Sequence, residues 1–233
     1  MAKTKPNIFI AVKAPPKTGK TYFSMTCPDP IIVYSFDGGA TYVRGQFPNK
    51  DITIRDFRPP ILESTQPIEA ESKLLDQFEA QYKEDISSGK YKTAVLDPAS
   101  ILWELNWHTQ QVEEGDKRLV TRKYAEPNAR MMAYFNRPLM MGMNLVSINY
   151  LKEEYLDEKP TGKMKLDGFK RTESQADVVI ELARGPIVPK PKSPPFWKIV
   201  ATVTDSRYDG LNVTGMTLDN PNYDDLMTLL GLE

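Results

Sequence analysis

The sequence predicts an α/β fold, with a mostly parallel central sheet flanked by helices. Three observations predict it. Short apolar, β-branched runs recur along the chain, and stretches with apolar residues at steps of three and four lie between them. A Gly19-Lys20-Thr21 turn joins the first run to the first helical stretch. Strands that alternate with helices imply parallel pairing and a sheet covered on both faces.

The first run, Asn7-Ile8-Phe9-Ile10-Ala11-Val12, reads as a buried strand. Residues 13–21 form a turn, and a helix is expected from about Tyr22. Residues 31–36 make a second strand stopped by Asp37-Gly38-Gly39, and residues 52–57 a third closed by Pro59-Pro60. Over residues 67–86 the pattern is helical, with Leu75, Phe78, Tyr82 and Ile86 on one face. Residues 92–96 form the next strand, closed by Asp97, and Pro98 suits the first turn of a following helix. A charged segment precedes a Met-rich helix from about Pro127, in which Met131, Met132, Phe135 and Leu139 read as core. Residues 144–148 make a strand that ends at Asn149-Tyr150. Residues 177–182 and 197–204 supply two more, and residues 223–230 a short helix stopped by Gly231.

At 233 residues the chain is read as a single domain over 1–233. Its 40% hydrophobic and 26% charged residues are ordinary for a globular protein. A formal net charge of −1 excludes a whole-chain basic footprint, so any nucleic-acid contact requires a local patch. Cys27 is the only cysteine, which excludes an intramolecular disulfide, and His108 is the only histidine. No apolar run reaches the roughly 18 residues of a membrane span, and no signal-peptide core follows Met1. No membrane partner and a cytoplasmic location are expected.

The general P-loop pattern is Gly, four variable residues, Gly, Lys, then Ser or Thr. Gly19, Lys20 and Thr21 match it, while Ala14 stands where the first glycine is usual. The chemistry demands backbone N–H groups curled around phosphate oxygens at a helix N-terminus. Lys20 would neutralise the β- and γ-phosphates, and Thr21 would offer its hydroxyl to Mg2+. The candidate nucleotide-binding residues are Ala14, Pro15, Pro16, Lys17, Thr18, Gly19, Lys20, Thr21 and Tyr22.

Asp97 ends an apolar strand, where a carboxylate can reach a metal beside Thr21. Thr21 and Asp97 are therefore the candidate metal ligands. The strand at residues 31–36 and the helix at 67–86 lie between the two motifs in sequence. That layout favours an arrangement in which an extra strand separates the two motif strands.

At these residues the sequence resembles RecA-like ATPases, and among them the small phage-encoded recombinases of the Sak type, often labelled AAA-family proteins. The resemblance rests on the P-loop, Phe36-Asp37-Gly38-Gly39, the Asp97 strand, Ser147-Ile148-Asn149-Tyr150 and Asp205-Ser206-Arg207. It implies a RecA-like P-loop NTPase core, ATP and Mg2+ as cofactors, and hydrolysis to ADP and phosphate. It implies catalytic roles for Lys20 and Asp97. Asp37 falls where these proteins usually carry a Glu that activates water. Asn149 occupies the place of a γ-phosphate sensor, with Tyr150 a departure, and Arg207 that of a late arginine approaching nucleotide from its own or a neighbouring subunit. The resemblance also implies single-stranded DNA as partner, a homo-oligomer, a phage single-strand-binding protein and an infected bacterial host cell.

Two basic segments, expected as loops at about 152–176 and 184–198, are candidates for the DNA contact. The first holds Lys163, Lys165, Lys170 and Arg171 after the strand that ends at Tyr150; the second holds Arg184, Lys190, Lys192 and Lys198 with Phe196, Trp197 and several prolines. Cations attract phosphates, and aromatic faces stack on unpaired bases. Solvated loops with Trp197 in the core are the alternative. Two other functions stay open on the residues alone. One is a small-substrate phosphotransferase, for which a lid would draw on Arg118, Arg122 and Arg130; the other is a non-hydrolysing DNA-annealing or scaffold module.

Overall fold

The computed structural model describes residues 7–60, 69–113, 124–190, 193–208 and 212–232. Its axis is the first strand, β1 (Phe9–Lys13), whose apolar residues are fully buried. Burial on both faces follows from its place in the sheet. Numbered along the chain, β5 (Asn144–Leu156) flanks it in parallel on one side and β7 (Val178–Lys190) on the other. Beyond β5, also parallel, lie β4 (Thr93–Asp97), β2 (Ile31–Ser35) and β3 (Ile52–Asp56). Beyond β7 lie β8 (Ser193–Ser206) and β9 (Thr217–Asp219), both antiparallel. The described residues thus form a nine-stranded sheet of order β3-β2-β4-β5-β1-β7-β8-β9, with β6 (Lys159–Asp167) paired to the outer half of β5. β5 separates β1 from β4, the arrangement the spacing of the two motifs favours.

Alternate residues of β1 serve opposite cores, as the two-residue period of a strand requires. Ile8, Ile10 and Val12 join Phe23, Met25 and Leu226 on the face covered by α1 (Lys20–Met25) and α7 (Tyr223–Leu229). Phe9 and Ala11 join the other face, under α3 (Glu69–Ser87), α4 (Ala99–Glu113) and α5 (Ala125–Met140). The predicted stripe of α3 is buried there as Leu75, Phe78, Tyr82 and Ile86. Met131 and Phe135 are core, with Met132 and Leu139 packed against them. Each such large side chain contributes about 1.5–3 kcal/mol by leaving water. Two short helices, α2 (Ala40–Arg44) and α6 (Thr172–Gln175), complete the set.

The two basic segments are hairpins rather than loops. β5 runs past Tyr150 to Leu156 and returns as β6 through Asp157 and Glu158, both at positive φ (49° and 63°). Two successive positive φ values match the right-handed twist of paired strands. β7 and β8 form the second hairpin, and its prolines do not break it. Pro186 and Pro189 fall inside the register shifts between Arg184 and Ile187 and between Val188 and Lys190, where a missing N–H costs no ladder bond.

The carboxyl ends of the parallel strands share one edge, where ligands bind in open α/β sheets. The register aligns Lys13 with Asn149 and Ser35 with Asp97. That edge therefore gathers the turn after β1, Asp37, Asp97 and Tyr150.

Candidate functional site

The turn after β1 ends at Gly19, whose left-handed backbone (φ 84°) leads into α1, so the first helical residue is Lys20 rather than Tyr22. A side chain in that region costs about 1–2 kcal/mol, which makes the glycine a backbone requirement. Ala14 keeps an ordinary negative φ and is fully buried, its N–H donating to the Asn149 carbonyl at 3.3 Å. No glycine is needed there. Thr18 Oγ1 donates to the Pro15 carbonyl at 2.7 Å and braces the turn.

Lys20 is buried. Its Nζ donates to the carbonyls of Ala14 (2.9 Å) and Pro15 (2.8 Å) and sits 5.0 Å from the centre of the Tyr150 ring. Burial brings its pKa down to about 8, with Asp97 and Asp37 pulling the other way. At neutral pH it remains mostly charged and poorly hydrated, so an anion gains more from it than from a surface lysine.

Thr21 Oγ1 donates to Asp97 Oδ2 at 2.7 Å, bringing the two candidate metal ligands together. Asp97, 1% exposed, is pushed up to about 7 by burial; Asp37 adds to the rise, while the Thr21 hydrogen bond and Lys20 oppose it. A carboxylate held so uneasily gains from a cation. Among the described residues no group of three or more His, Cys, Asp or Glu could form a metal cage. The hydroxyl and carboxylate instead fit Mg2+, a hard ion that keeps several waters and takes substrate phosphates as its other ligands.

A cavity of about 480 Å3 opens above the turn. It is lined by residues 16–22 together with Asp37, Gly39, Val43, Gln46, Asp97 and Tyr150. Asp37 Oδ1 accepts from the Gly39 N–H at 2.7 Å, and Asp37 Oδ2 accepts from the Tyr150 hydroxyl at 3.0 Å. Beside it lies a smaller apolar pocket formed by Gly19, Tyr22, Phe23, Leu182, Ile199, Asn220 and Pro221.

Two sequence candidates do not reach this cavity. The Asn149 amide donates to the carbonyl and hydroxyl of Ser147 at 3.0 and 3.1 Å, and its Oδ1 is buried without a partner. Its neighbour Tyr150 lines the cavity instead, because alternate strand residues face opposite ways. Arg207 is bound to Asp177 and to the carbonyls of Ser174 and Gln175. Asp177 in turn accepts from the Phe9 N–H at the start of β1, so Arg207 lies a strand length from the phosphate turn, roughly 16 Å. Its guanidinium is engaged there, outside the lining of the cavity.

An arginine that the sequence gives only as part of a basic stretch stands closer. Arg184 donates to the Lys17 carbonyl at 3.2 Å, with its guanidinium 5.7 Å from the Trp197 ring centre. Trp197 is 49% exposed and not core. Lys198 is held by Asp219. Lys192, Arg118 and Arg122 lie outside the described residues, as do the side chains of Lys190 and Phe196. Arg130 pairs with Glu126 on α5. Lys163 and Lys165 are exposed on β6, and Lys170 and Arg171 in the turn that follows. Cys27 is fully buried and its thiol is pushed up to about 12, which removes thiolate chemistry.

No helix among the described residues is long and apolar enough to cross a membrane. A family model described as an AAA domain matches residues 6–208. No curated protein matches the chain.

Proposed function

Because this chain belongs to the AAA domain family of P-loop NTPases, we propose that it binds ATP with Mg2+ and hydrolyses it to ADP and phosphate while acting on single-stranded DNA. The observation that carries the nucleotide reading is the 2.7 Å contact between Thr21 and Asp97, beside a buried lysine in a glycine-ended turn. In this reading the turn N–H groups and Lys20 hold the phosphates. Thr21 and Asp97 hold Mg2+, which neutralises phosphate charge when bound. Asp37 would accept a hydrogen bond from the attacking water, and the apolar pocket of Tyr22 and Ile199 would offer the base its contacts.

The position of β5 between β1 and β4 supports a RecA-like core of the kind found in phage recombinases of the Sak type. The exposed cations of β6 and the turn after it support the DNA partner. A homo-oligomer and a phage single-strand-binding protein complete this reading, in the cytoplasm of an infected bacterium. If Arg207 acts on nucleotide, it does so on that of a neighbouring subunit.

A second reading has its own observation. Both oxygens of Asp37 already accept hydrogen bonds, from Gly39 and Tyr150. Each oxygen keeps an acceptor site, but a short carboxylate pinned by two donors suits a module that binds ATP for assembly without turning it over. Phosphate release measured with and without single-stranded DNA, beside a panel of small-metabolite acceptors, decides between them. DNA-stimulated release supports the first reading. ATP binding without release supports the second, and transfer to an acceptor overturns both.

A further inference from the structure

A second cavity, of about 490 Å3, lies on the α4–α5 side of the sheet, away from the phosphate turn. Its walls include Trp103, Trp107, Tyr124 and Phe169, with Lys170 and Arg171 at its edge. The volume is that of a small-ligand pocket, and no role described above uses it.

The composition of its walls follows from α4. Leu102, Leu105, Asn106 and Thr109 face the core, while Trp103 and Trp107, one helical turn apart, share a partly buried face. Each indole has one aromatic neighbour, and Trp103 also packs against the core. Trp107 stacks on Tyr124 with centres 4.5 Å apart and planes 14° apart, and Trp103 leans on the buried Phe169 at 5.4 Å. Two partly buried indoles and the exposed Tyr124 around one cavity give a ligand flat apolar walls.

The charge at the rim narrows the occupant. Lys152 is held by Asp167, but the exposed side chains of Lys170 and Arg171 have no ion pair or hydrogen bond among the described residues. Flat aromatic walls take the π-face of a base, and free cations take the phosphate next to it. A duplex keeps its bases stacked inside and cannot present a bare face. Position supports the same occupant. Ser100 Oγ accepts from the Tyr150 N–H at 3.0 Å and donates to the Asp167 carbonyl at 2.6 Å, tying this wall to the strand end at the nucleotide cavity. Gly168 packs so closely on Ser100 that a Cβ would lie 3.2 Å from the serine Cα. The cavity also adjoins the turn that follows the exposed lysines of β6.

We propose that this cavity seats one unpaired base of a bound DNA single strand, stacked on the indoles, with the adjoining phosphate on Lys170 and Arg171. The inference rests on the DNA reading above and adds a site to it.

The test uses the full chain carrying Trp197→Phe, since Trp197 is the third tryptophan and stands by the phosphate turn. Oligo(dT) is expected to quench the remaining tryptophan fluorescence, and a duplex of equal length is not. Trp107→Ala should weaken oligo(dT) binding by about 5- to 150-fold, the range for loss of one stacked base. The surface pair Lys170→Ala/Arg171→Ala, which touches no core, should lower the slope of log affinity against log salt by about 1.4. Thermal melts check that each variant is folded. If the chain binds oligo(dT) but both variants keep its affinity and the quenching is absent, this site is wrong while the DNA reading stands. Equal quenching by free dTMP at the same nucleotide concentration would make the cavity a mononucleotide site and overturn the proposal. If the chain with all three tryptophans binds no oligo(dT), the DNA reading itself falls and takes this site with it.

Discussion

The hydroxyl of Tyr150 donates to Asp37 at 3.0 Å while the ring of the same residue lies under the Lys20 ammonium. One side chain thus links the acid after β2 to the cation of the phosphate turn. Burial, reinforced by the Asp37 carboxylate, raises the pKa of Tyr150, so the phenol stays a donor through neutral pH. If Asp37 orients the attacking water, Asp37→Ala should lower turnover by about 10²–10⁴-fold with ATP affinity kept. Tyr150→Phe retains the ring and removes one hydrogen bond to Asp37, so its loss should be smaller, on the order of tenfold. Single-turnover phosphate release and a separate ATP titration measure both. Equal turnover in wild type and Asp37→Ala would leave Asp37 as a turn residue held by Gly39.

Lys20→Ala tests the phosphate turn. The ammonium makes two charge-assisted hydrogen bonds to turn carbonyls, so some stability is lost, on the order of 1–3 kcal/mol. The core is untouched. ATP affinity should fall by about 100-fold or more, since Lys17, the other cation of the turn, is exposed and hydrated. Calorimetric titration of ATP–Mg2+ into a variant with a cooperative melt checks it. Unchanged affinity in a folded variant would remove the P-loop assignment.

Much of this site was legible in sequence because its parts are local. Gly19-Lys20-Thr21 sits between an apolar run and a helix, and Asp97 follows an apolar run, so pattern alone marked the Thr21–Asp97 pairing. What pattern missed depends on side-chain direction and on distant packing. Asn149 and Tyr150 are neighbours at one strand end, and only the register of β5 against β1 decides which of them faces the cavity. Arg207 follows β8, whose antiparallel course against β7 carries it to the far edge. The same hairpin brings Arg184 back to the phosphate turn, a contact across 167 positions that no local signal carries. The β5–β6 turn was hidden for a different reason: Asp157-Glu158 adopts two positive φ values without the glycine or asparagine that usually announces them.

Asp97 couples pH to stability and, in the ATP–Mg2+ reading, to the metal. Burial holds its folded pKa near 7, above the value of about 4 for an unfolded aspartate. The folded chain therefore binds that proton more tightly, and the linked stability, present in full below about pH 4, is lost as pH rises through about 7. Without nucleotide or metal, the urea midpoint of the wild type should fall between pH 5 and pH 8. Asp97→Asn, which cannot ionise, should show a flatter profile. The same variant should need much more Mg2+ for turnover while losing little affinity for metal-free ATP. Parallel pH profiles for the two proteins would show that Asp97 is not the titrating group.

The lysines of β6 give the last prediction. Lys163 and Lys165 are two residues apart on one strand, so their side chains leave the same face of the hairpin, and both are exposed. Lys165 stands directly opposite Lys152, a like-charged cross-strand pair that opposes folding by a fraction of a kcal/mol and is relieved only where Asp167 takes Lys152. A polyanion laid along this face would relieve it fully. In Lys163→Ala/Lys165→Ala the hairpin should persist, and the removal of Lys165 should stabilise it slightly. Binding of single-stranded DNA should weaken, and its salt slope should fall by about 1.4, at 0.7 for each lost phosphate contact. Tryptophan quenching by saturating oligo(dT) should survive, because neither lysine lines the aromatic cavity under α4. Titrations at several salt concentrations measure the slope, and an unchanged slope would move the strand off this hairpin.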